Sequence, residues 1–562
     1  MGTLEWTESS SEENTGVDHL GMRVANESSY SKLIDFTTTV TWRPRYYSFL
    51  CWAAQRAFLQ NGGNFVRMTS KVDFKGYQKA IKRMEYGLVA ASLVYDSSAS
   101  KVAGTEKVSV ALEGLNKENA AELPLHGNHL KASAGGLSIY AGVMRALGLL
   151  SSSEGFDIPL PGSNGDALAK AFAKSLDLAG LDNPLDKESL SLADLENIGS
   201  RCALHSLKEQ SLTCETVTEE LELIKQVIFN WNNFHAGSIN STRRILSLGL
   251  ILESRKLYPE QEASLALFRE FTLLGAARIS KTIVPFNLPS LYSPVLLEWK
   301  MYQVHAFITF ALESVLALTL VQAGELQEDL GDRVLQSVLV NFMLEHISQC
   351  QEENNTDRIP KTLDGWWDRS LTDLVIELES AVKEERDFSL CEPELMASIS
   401  KLASPKGSAK MATWVHDTFL MLLLALVRMR CLLKTSGKGA WIGTEQSFRL
   451  TPNTLNEHLG KALAEKLSVL EYAKRLINEL VIKQHHQNAL RKLIAQPDKD
   501  TAKFLLEGPY FVPLGTHIPG TSSPRYENAL LFLQDLGLLT RGTKPEVTPE
   551  GEAILKKING VA

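Results

Sequence analysis

Residues 524–555 read PRYENALLFLQDLGLLTRGTKPEVTPEGEAIL, and residues 137–172 read LSIYAGVMRALGLLSSSEGFDIPLPGSNGDALAKAF. Both stretches begin with a helical pattern that carries a tyrosine near its start and ends in Leu-Gly-Leu-Leu, at 536–539 and 147–150. A polar turn, a short apolar stretch and a proline then lead to Gly-Glu-Ala or Gly-Asp-Ala, which opens another helix. The glycine of Leu-Gly-Leu-Leu is suited to end the first helix, because glycine readily takes the left-handed conformation. The sequence therefore predicts two units of helix, hairpin and helix.

This order resembles the later half of a winged helix-turn-helix domain, and the resemblance is closer in the C-terminal copy. A helix predicted at 501–507 and a cap at Ser522-Ser523 would complete that copy. In such domains the second helix enters the DNA major groove, where arginine reads guanine and asparagine reads adenine. The resemblance implies that the start of this helix and the wing contact DNA or a partner through Arg525, Tyr526, Asn528, Arg541 and Lys544.

The charge balance does not favour DNA over a protein partner. Residues 497–562 hold seven Lys or Arg against eight Asp or Glu, whereas DNA-binding domains carry clustered basic charge. Docking to a protein is therefore an equal alternative. The copy at 137–172 carries Glu154, Asp157 and Asp166 near its wing, so we expect it to pack or dock. A net charge of −8 for the whole chain also argues against indiscriminate coating of nucleic acid.

Length and composition indicate several globular domains. The chain has 562 residues, of which 44% are hydrophobic and 22% charged, and one hydrophobic core rarely serves so long a chain. Apolar spacing of three and four dominates, which predicts a mainly α, multidomain helical protein. The predicted segments are a disordered acidic tail at 1–20, an N-terminal helical domain at 21–130, a winged-helix-like unit at 131–180, a central helical domain at 181–496 and a C-terminal winged helix at 497–562.

The most aromatic stretch, TTTVTWRPRYYSFLCWAAQR at 37–56, predicts a buried helix that starts near Pro44. Its apolar arc is wide, and aromatic residues at helical spacing usually pack in a core. This interpretation does not account for Arg43 and Arg45. Two guanidinium groups at the start of a buried helix need carboxylate, phosphate or aromatic partners.

An N-terminal signature carries a second resemblance. It consists of Leu20-Gly21-Met22-Arg23, the Thr-rich segment 37–41, and Arg43-x-Arg45-Tyr46-Tyr47-x-Phe49. This arrangement is similar to that of uncharacterised prokaryotic proteins encoded beside helicases, nucleases or restriction-type genes in phage-defence islands. The match covers about thirty residues and implies a genomic setting without an activity. The resemblance marks Arg43, Arg45, Tyr46 and Tyr47 as residues for contact with an anion or a partner.

Catalytic and metal-binding motifs do not stand out in the sequence. No P-loop or nucleophile elbow is present, and the six cysteines lack the spacing of a disulfide framework or a zinc site. His416-Asp417 could belong to a metal-dependent phosphohydrolase, but further ligands at suitable spacing are missing. The acidic residues between 373 and 385 are typical of a solvated helix face. We therefore predict no cofactor and no bound metal.

The same features predict a cytoplasmic protein without a membrane contact. The N-terminus is acidic and Ser-rich, unlike a signal peptide. Two long apolar stretches, 304–321 and 411–433, are interpreted as buried helices, since Glu313 interrupts the first and the apolar run of the second is too short to span a bilayer.

The functional prediction is a non-catalytic adaptor or scaffold that binds DNA or a protein partner in a prokaryotic anti-phage complex. A helicase or a nuclease subunit of such a system is the expected partner. The alternative is a metal-dependent nuclease or hydrolase whose acidic site forms only in the fold. A third possibility is an obligate subunit with no DNA affinity of its own, in which the apolar helices contribute an interface.

Overall fold

The computed structural model describes residues 18–63, 72–99, 101–118, 122–152, 159–176, 183–279, 282–285, 287–330, 333–353, 366–384, 392–403, 411–436, 441–443, 450–495, 501–520 and 522–560. Helices dominate these residues, and each strand is only two to four residues long. The prediction of a mainly α fold is therefore confirmed. Residues 1–17 of the predicted tail, together with Glu154 and Asp157, lie outside the described residues.

Helices occur along the whole described part of the chain. They are α1 (Arg23–Leu33), α2 (Arg45–Gln60), α3 (Phe74–Tyr95), α4 (Thr105–Glu118), α5 (Gly136–Ala146), α6 (Ser163–Leu176), α7 (Leu192–Cys202), α8 (Leu207–Ser211), α9 (Glu215–Phe229), α10 (Trp231–His235), α11 (Ile239–Leu257), α12 (Leu265–Leu274), α13 (Ser293–Leu330), α14 (Gln336–Glu353), α15 (Leu371–Glu384), α16 (Glu392–Leu402), α17 (Met411–Ser436), α18 (Pro452–Ala464), α19 (Val469–Leu476), α20 (Gln484–Ala495), α21 (Tyr526–Asp535) and α22 (Pro549–Ile558).

The strands form small antiparallel sheets. They are β1 (Glu122–Pro124), β2 (Leu150–Ser152), β3 (Pro159–Pro161), β4 (Ser189–Ser191), β5 (Ala276–Ile279), β6 (Thr282–Pro285), β7 (Val334–Leu335), β8 (Phe504–Glu507) and β9 (Tyr510–Pro513). Strand β1 pairs with β4, β2 with β3 and β5 with β6, while the remaining three lie in the order β7-β9-β8. The hairpin β2–β3 pairs Leu150 with Pro161 and Ser152 with Pro159.

The chain divides into two compact units. The first comprises the described residues within 1–30, 269–287 and 296–522, and the second those within 31–268, 288–295 and 523–562. This grouping differs from the predicted segments. The predicted central domain, 181–496, contributes to both units, and the predicted C-terminal domain, 497–562, divides after Ser522.

Two long apolar helices, α13 and α17, lie in the core of the first unit. Their buried side chains point in all directions around the helix axis, as at Val315, Leu316, Leu422 and Leu424, so neither helix has the polar stripe of a surface helix. Ser290–Gln327 is the one stretch of the described chain that is long and apolar enough to span a membrane, and 94% of its most apolar window is buried inside the structure. Both helices are thus core helices, as predicted.

The carboxylate of Glu313 lies in the middle of apolar helix α13 and is fully buried. Arg23 donates two hydrogen bonds to it, at 2.9 and 2.7 Å, and the backbone N–H of Gly520 donates a third at 2.9 Å. Burial alone would raise the pKa of Glu313, but hydrogen bonds from His517 and Arg23 outweigh it and hold the pKa below its usual value. A buried charge persists where it is paired and hydrogen-bonded in this way.

Helix α2 begins at Arg45 after Pro44, and most of its side chains are buried in the second unit. Tyr46, Tyr47 and Phe49 are all fully buried. This confirms that the aromatic stretch is a core helix rather than an open aromatic surface.

The two Leu-Gly-Leu-Leu sequences form the same local structure. Gly148 follows α5 at φ +70°, and Gly537 follows α21 at φ +74°, so each glycine ends its helix as predicted. A Cβ on Gly165 would lie 2.1 Å from the carbonyl oxygen of Leu149, and one on Gly551 would lie 2.3 Å from that of Leu538. In both copies the following helix therefore packs against the third residue of the motif. Only glycine fits at the contact position of that helix, Gly165 or Gly551.

Two further predictions for the C-terminal copy are wrong. The predicted helix at 501–507 is instead strand β8, because Phe504 turns its side chain into the core and pairs with Pro513. Helix α21 is not capped by Ser522 or Ser523. The residue before it is Arg525, which has φ +60° and makes no side-chain capping bond.

The wing is reduced to one bridge between Leu539 and Val547, and we refer to residues 538–548 as the C-terminal hairpin.

Candidate binding site at the C-terminal hairpin

The start of α21 is anchored to the Thr-rich segment of the second unit. Arg525 Nη1 donates to the carbonyl oxygen of Ile34 at 3.1 Å. Asn528 Nδ2 donates to the carbonyl oxygens of Thr38 at 2.8 Å and Thr41 at 2.9 Å. Asn528 is 2% exposed and Arg525 is 7% exposed. The two side chains with the chemistry to read bases thus satisfy backbone carbonyls inside the unit.

The predicted tyrosines are also internal. Tyr526 stacks on Phe268, with ring centroids 4.7 Å apart and planes at 23°. Tyr46 stacks on Tyr140 at 4.8 Å and 26°, and Tyr47 donates its hydroxyl hydrogen to a backbone carbonyl. Burial raises the pKa of each of these tyrosines above its usual value. Their phenols therefore stay neutral and serve packing.

Two predicted arginines converge on one carboxylate at the end of α21. Asp535 is fully buried, and its Oδ1 accepts hydrogen bonds from Arg43 Nη1 at 2.9 Å and from Arg541 Nη2 at 3.1 Å. Arg541 also pairs with Glu209 at 2.9 Å and donates to the carbonyl oxygen of His205. Burial raises the pKa of Asp535 to about 6, although both arginines act to lower it. The cluster ties the C-terminal hairpin to the segment before α2.

Arg45 has a separate and equally buried partner. Its guanidinium pairs with Glu220, through Nη2 to Oε2 at 2.8 Å and through Nε to Oε1 at 3.2 Å, and neither side chain is exposed. The same group donates to the carbonyl oxygens of Arg201 and Ala203, at 2.6 and 3.1 Å. Arg45 therefore has the partner that the sequence required, and this partner is a carboxylate of the chain itself.

The remaining charges around the hairpin are mostly paired. On α22, Glu550 contacts Lys208 and Lys225, and Glu552 contacts Lys256 at 2.9 Å. Of the five residues predicted to bind DNA or a partner, Lys544 is exposed, and Arg541 has a side chain 41% exposed. The two do not extend into a basic strip with Arg525, because Arg525 is buried.

A groove of about 220 Å³ lies between α21, the C-terminal hairpin and Trp42. Its residues are Trp42, Lys101, Ala263, Glu527, Leu530, Leu531, Gln534, Gly542, Thr543 and Pro545. The Lys101 ammonium lies 4.0 Å from the centroid of the Trp42 ring, which is a cation–π contact. The lining of the groove combines apolar side chains with hydrogen-bonding groups.

Sequence reasoning missed Asp535, Glu220 and the groove residues Trp42 and Lys101. One signal was available for Asp535. A carboxylate in the last turn of a helix faces the negative end of the helix dipole, so it requires a compensating cation. No comparable local signal marks Glu220, whose partner Arg45 lies 175 positions away in the chain.

Among the described residues, no group of three or more His, Cys, Asp or Glu side chains could hold a metal ion. His416 and Asp417 contact each other at 3.2 Å, and Asp417 also accepts a hydrogen bond from Ser398 at 2.6 Å. The alternative function of a metal-dependent nuclease stays a prediction. Comparisons of the chain with protein family models, curated proteins and solved structures gave no match.

Proposed function

We propose that the chain is a non-catalytic adaptor that binds a protein partner through the groove at the C-terminal hairpin. Its second unit would carry two winged-helix-like modules, at 137–172 and 524–555, of which the C-terminal one docks the partner. The observation that carries the proposal is the groove itself, an apolar floor bounded by α21, the hairpin and Trp42.

The position of the predicted DNA-reading residues favours a protein partner over DNA. A helix that reads the major groove presents its leading side chains to base edges, whereas Arg525 and Asn528 are committed to backbone carbonyls. Phosphate contacts also need free cations, and Arg541 is paired with Glu209 and Asp535. Of the residues predicted to contact DNA, only Lys544 is an exposed cation without a described partner, which is too little charge for a major-groove interface.

The chemistry of the groove indicates what the partner presents. Trp42, Leu530 and Leu531 offer an apolar surface for one inserted aliphatic or aromatic side chain. Lys101 is exposed at the rim and attracts a carboxylate placed beside that side chain. We therefore propose a peptide segment with an apolar anchor next to an acidic residue. Anchors of this kind provide most of the binding energy in protein interfaces.

The biological setting rests on the N-terminal resemblance alone. That resemblance favours a prokaryotic anti-phage system, in which the partner would be a helicase or nuclease subunit encoded nearby.

Co-expression of the full chain with each neighbouring gene product, followed by size-exclusion chromatography, tests the proposal. We expect a complex with one of them. The substitution Leu531→Arg in the groove should weaken the affinity of the complex at least tenfold. The control is Leu212→Arg, because Leu212 is 73% exposed and lies outside the groove, and this variant should bind the partner as tightly as the wild type. Lys101→Glu is a second groove variant at an exposed position, and the charge reversal should also weaken the complex.

Equal complex formation by Leu531→Arg, Lys101→Glu and the wild type would overturn the proposal. The DNA alternative has its own readout, the affinity for a fluorescent duplex. We expect no dependence of that affinity on Lys544. If Lys544→Ala removed a salt-dependent affinity for duplex DNA, the hairpin would be a DNA wing instead.

A further inference from the structure

Four aromatic rings cluster around the short helix α10 of the second unit. Trp231 stacks on Phe229, with centroids 5.5 Å apart and planes at 10°, and on His235, at 6.3 Å and 27°. Phe234 meets Trp231 edge to face at 6.0 Å and 81°. We call Phe229, Trp231, Phe234 and His235 the aromatic platform. Three of its members sit in one turn and a half of helix.

Three of the four platform rings reach the surface, whereas Phe229 is fully buried. No residue of α10 is buried, and His235 is exposed, while Trp231 and Phe234 are half-buried. Rings that are half-buried leave part of their apolar surface in water. Apolar surface that is grouped within five residues in this way is a feature of interaction sites.

The backbone under the platform is held in a fixed conformation. Asn230 ends α9 and precedes α10 with φ +25°, a conformation that few non-glycine residues adopt. Its side-chain oxygen accepts a hydrogen bond from the backbone N–H of Asn233 at 3.3 Å. The bend presents Trp231 and Phe234 in one orientation, so a ligand would meet an ordered surface.

Positive charge lies beside the rings. The Lys557 ammonium is 4.2 Å from the centroid of Trp231, and Lys556 precedes it in the last turn of α22. Both lysines are exposed. Lys557 therefore places a cation next to the rings of the platform.

We infer that the aromatic platform binds single-stranded nucleic acid. Unstacked bases would lie against His235 and Phe234, and the phosphates between them would contact Lys556 and Lys557. Proteins that bind single strands without sequence preference combine stacking rings with a cationic track in this way. The inference goes beyond the proposed adaptor function and depends on different residues.

Other occupants fit these observations less well. Duplex DNA already stacks its bases on one another, so it has no free base for His235. A protein surface without acidic groups would leave the two ammonium groups buried and unpaired, which is costly. Single strands supply both a free ring face and a phosphate.

The affinity of the full chain for a fluorescein-labelled 15-nucleotide oligothymidine, measured by anisotropy at 50 and 200 mM salt, tests the inference. We expect binding that weakens at higher salt, because counterions are released when lysines meet phosphates. His235→Ala at an exposed position and Phe234→Ala should each weaken binding about tenfold, which is the range for one base stacked on one ring. Lys556→Gln should reduce the slope of log affinity against log salt concentration by about one.

Phe74→Ala is the matched control, because Phe74 is 45% exposed and stacks on Tyr77 elsewhere in the same unit. Its affinity should equal that of the wild type. Unfolding midpoints of the variants separate loss of the site from loss of the fold, and His235→Ala leaves the core intact. Absence of binding by the wild type, or full affinity in His235→Ala and Lys556→Gln, would overturn the inference. Binding that depends on the rings but is equally strong for a duplex would also overturn it.

Discussion

Arg43 Nη1 lies 2.9 Å from Asp535 Oδ1, and this contact joins residues 492 positions apart in the chain. Neither side chain is more than 5% exposed. Arg43 stands just before the aromatic helix α2, and Asp535 is the last residue of α21. The contact therefore connects the two parts of the sequence that carry its two resemblances.

Removal of the positive charge of Arg43 should destabilise the second unit, and the size of the loss should depend on pH. Arg43→Met leaves the buried Asp535 carboxylate without its closest positive charge, and breaking such a pair costs about 3–5 kcal/mol. The loss should be smaller at pH 5, where Asp535 is protonated. Urea unfolding at pH 7.5 and pH 5 measures both values. Arg56→Met is the control, because the pair of Arg56 and Asp186 is exposed and contributes about 1 kcal/mol or less.

Asp535 should also contribute its own pH dependence to the wild type. Its folded pKa is raised from 3.8 to about 6, so between these values the folded chain holds a proton that the unfolded chain releases. Stability then falls as pH rises through this window and is constant above it. Asp535→Asn removes the titration. The unfolding free energy of the variant minus that of the wild type should rise by roughly 2–3 kcal/mol between pH 4 and 7. A constant difference would contradict the raised pKa.

The hydrogen bonds from Asn528 on α21 to the Thr-rich segment should stabilise the second unit. Asn528→Ala removes two hydrogen bonds to the carbonyl groups of Thr38 and Thr41. Both carbonyl groups keep the Thr37 hydroxyl as a donor, so we expect a loss of about 0.5–1.5 kcal/mol for each hydrogen bond removed. Gln534→Ala removes a similar amide from two carbonyl groups at the surface, where water replaces it. Thermal unfolding should show a clear loss for the first variant and little change for the second. Equal losses would mean that the burial of Asn528 is unimportant.

The paired glycines should tolerate no side chain. Gly165→Ala and Gly551→Ala place a Cβ against carbonyl oxygens, and we expect each to lower the unfolding free energy by about 1–3 kcal/mol. At Gly114, also in a helix, an added Cβ would have no heavy atom within 4 Å other than those of its chain neighbours and of the backbone of its own helix. Gly114→Ala should therefore raise stability by about 0.5–1 kcal/mol. A gain in all three variants would contradict the close approach.

The repeated Leu-Gly-Leu-Leu pattern was readable from the sequence because it depends on local rules. Helix termination by glycine is decided within a few residues, and Gly148 and Gly537 both take positive φ. The buried state of α2 and α13 was predictable for the same reason, since a wide apolar arc requires a core.

The partners of the arginines were not predictable in this way. Arg43 and Arg45 revealed a need for compensating charge, but Asp535 and Glu220 could be found only in the fold. Strand β8 was missed because Phe504–Glu507 is too short for periodicity to separate strand from helix. Its pairing with β9 decides the conformation. Of the groove residues, Glu527, Leu530, Leu531 and Gln534 lie on the helix that the sequence predicted.

The discontinuity of the second unit has a consequence for synthesis on the ribosome. Residues 31–268 emerge first, but the segment that supplies Asp535 and Asn528 follows about 250 residues later, after roughly 10–50 s of translation. During that interval the guanidinium of Arg43 lacks the carboxylate of Asp535, and the carbonyl groups of Thr38 and Thr41 lack the amide of Asn528. The second unit of a nascent chain therefore becomes complete only after residues 523–562 have been synthesised.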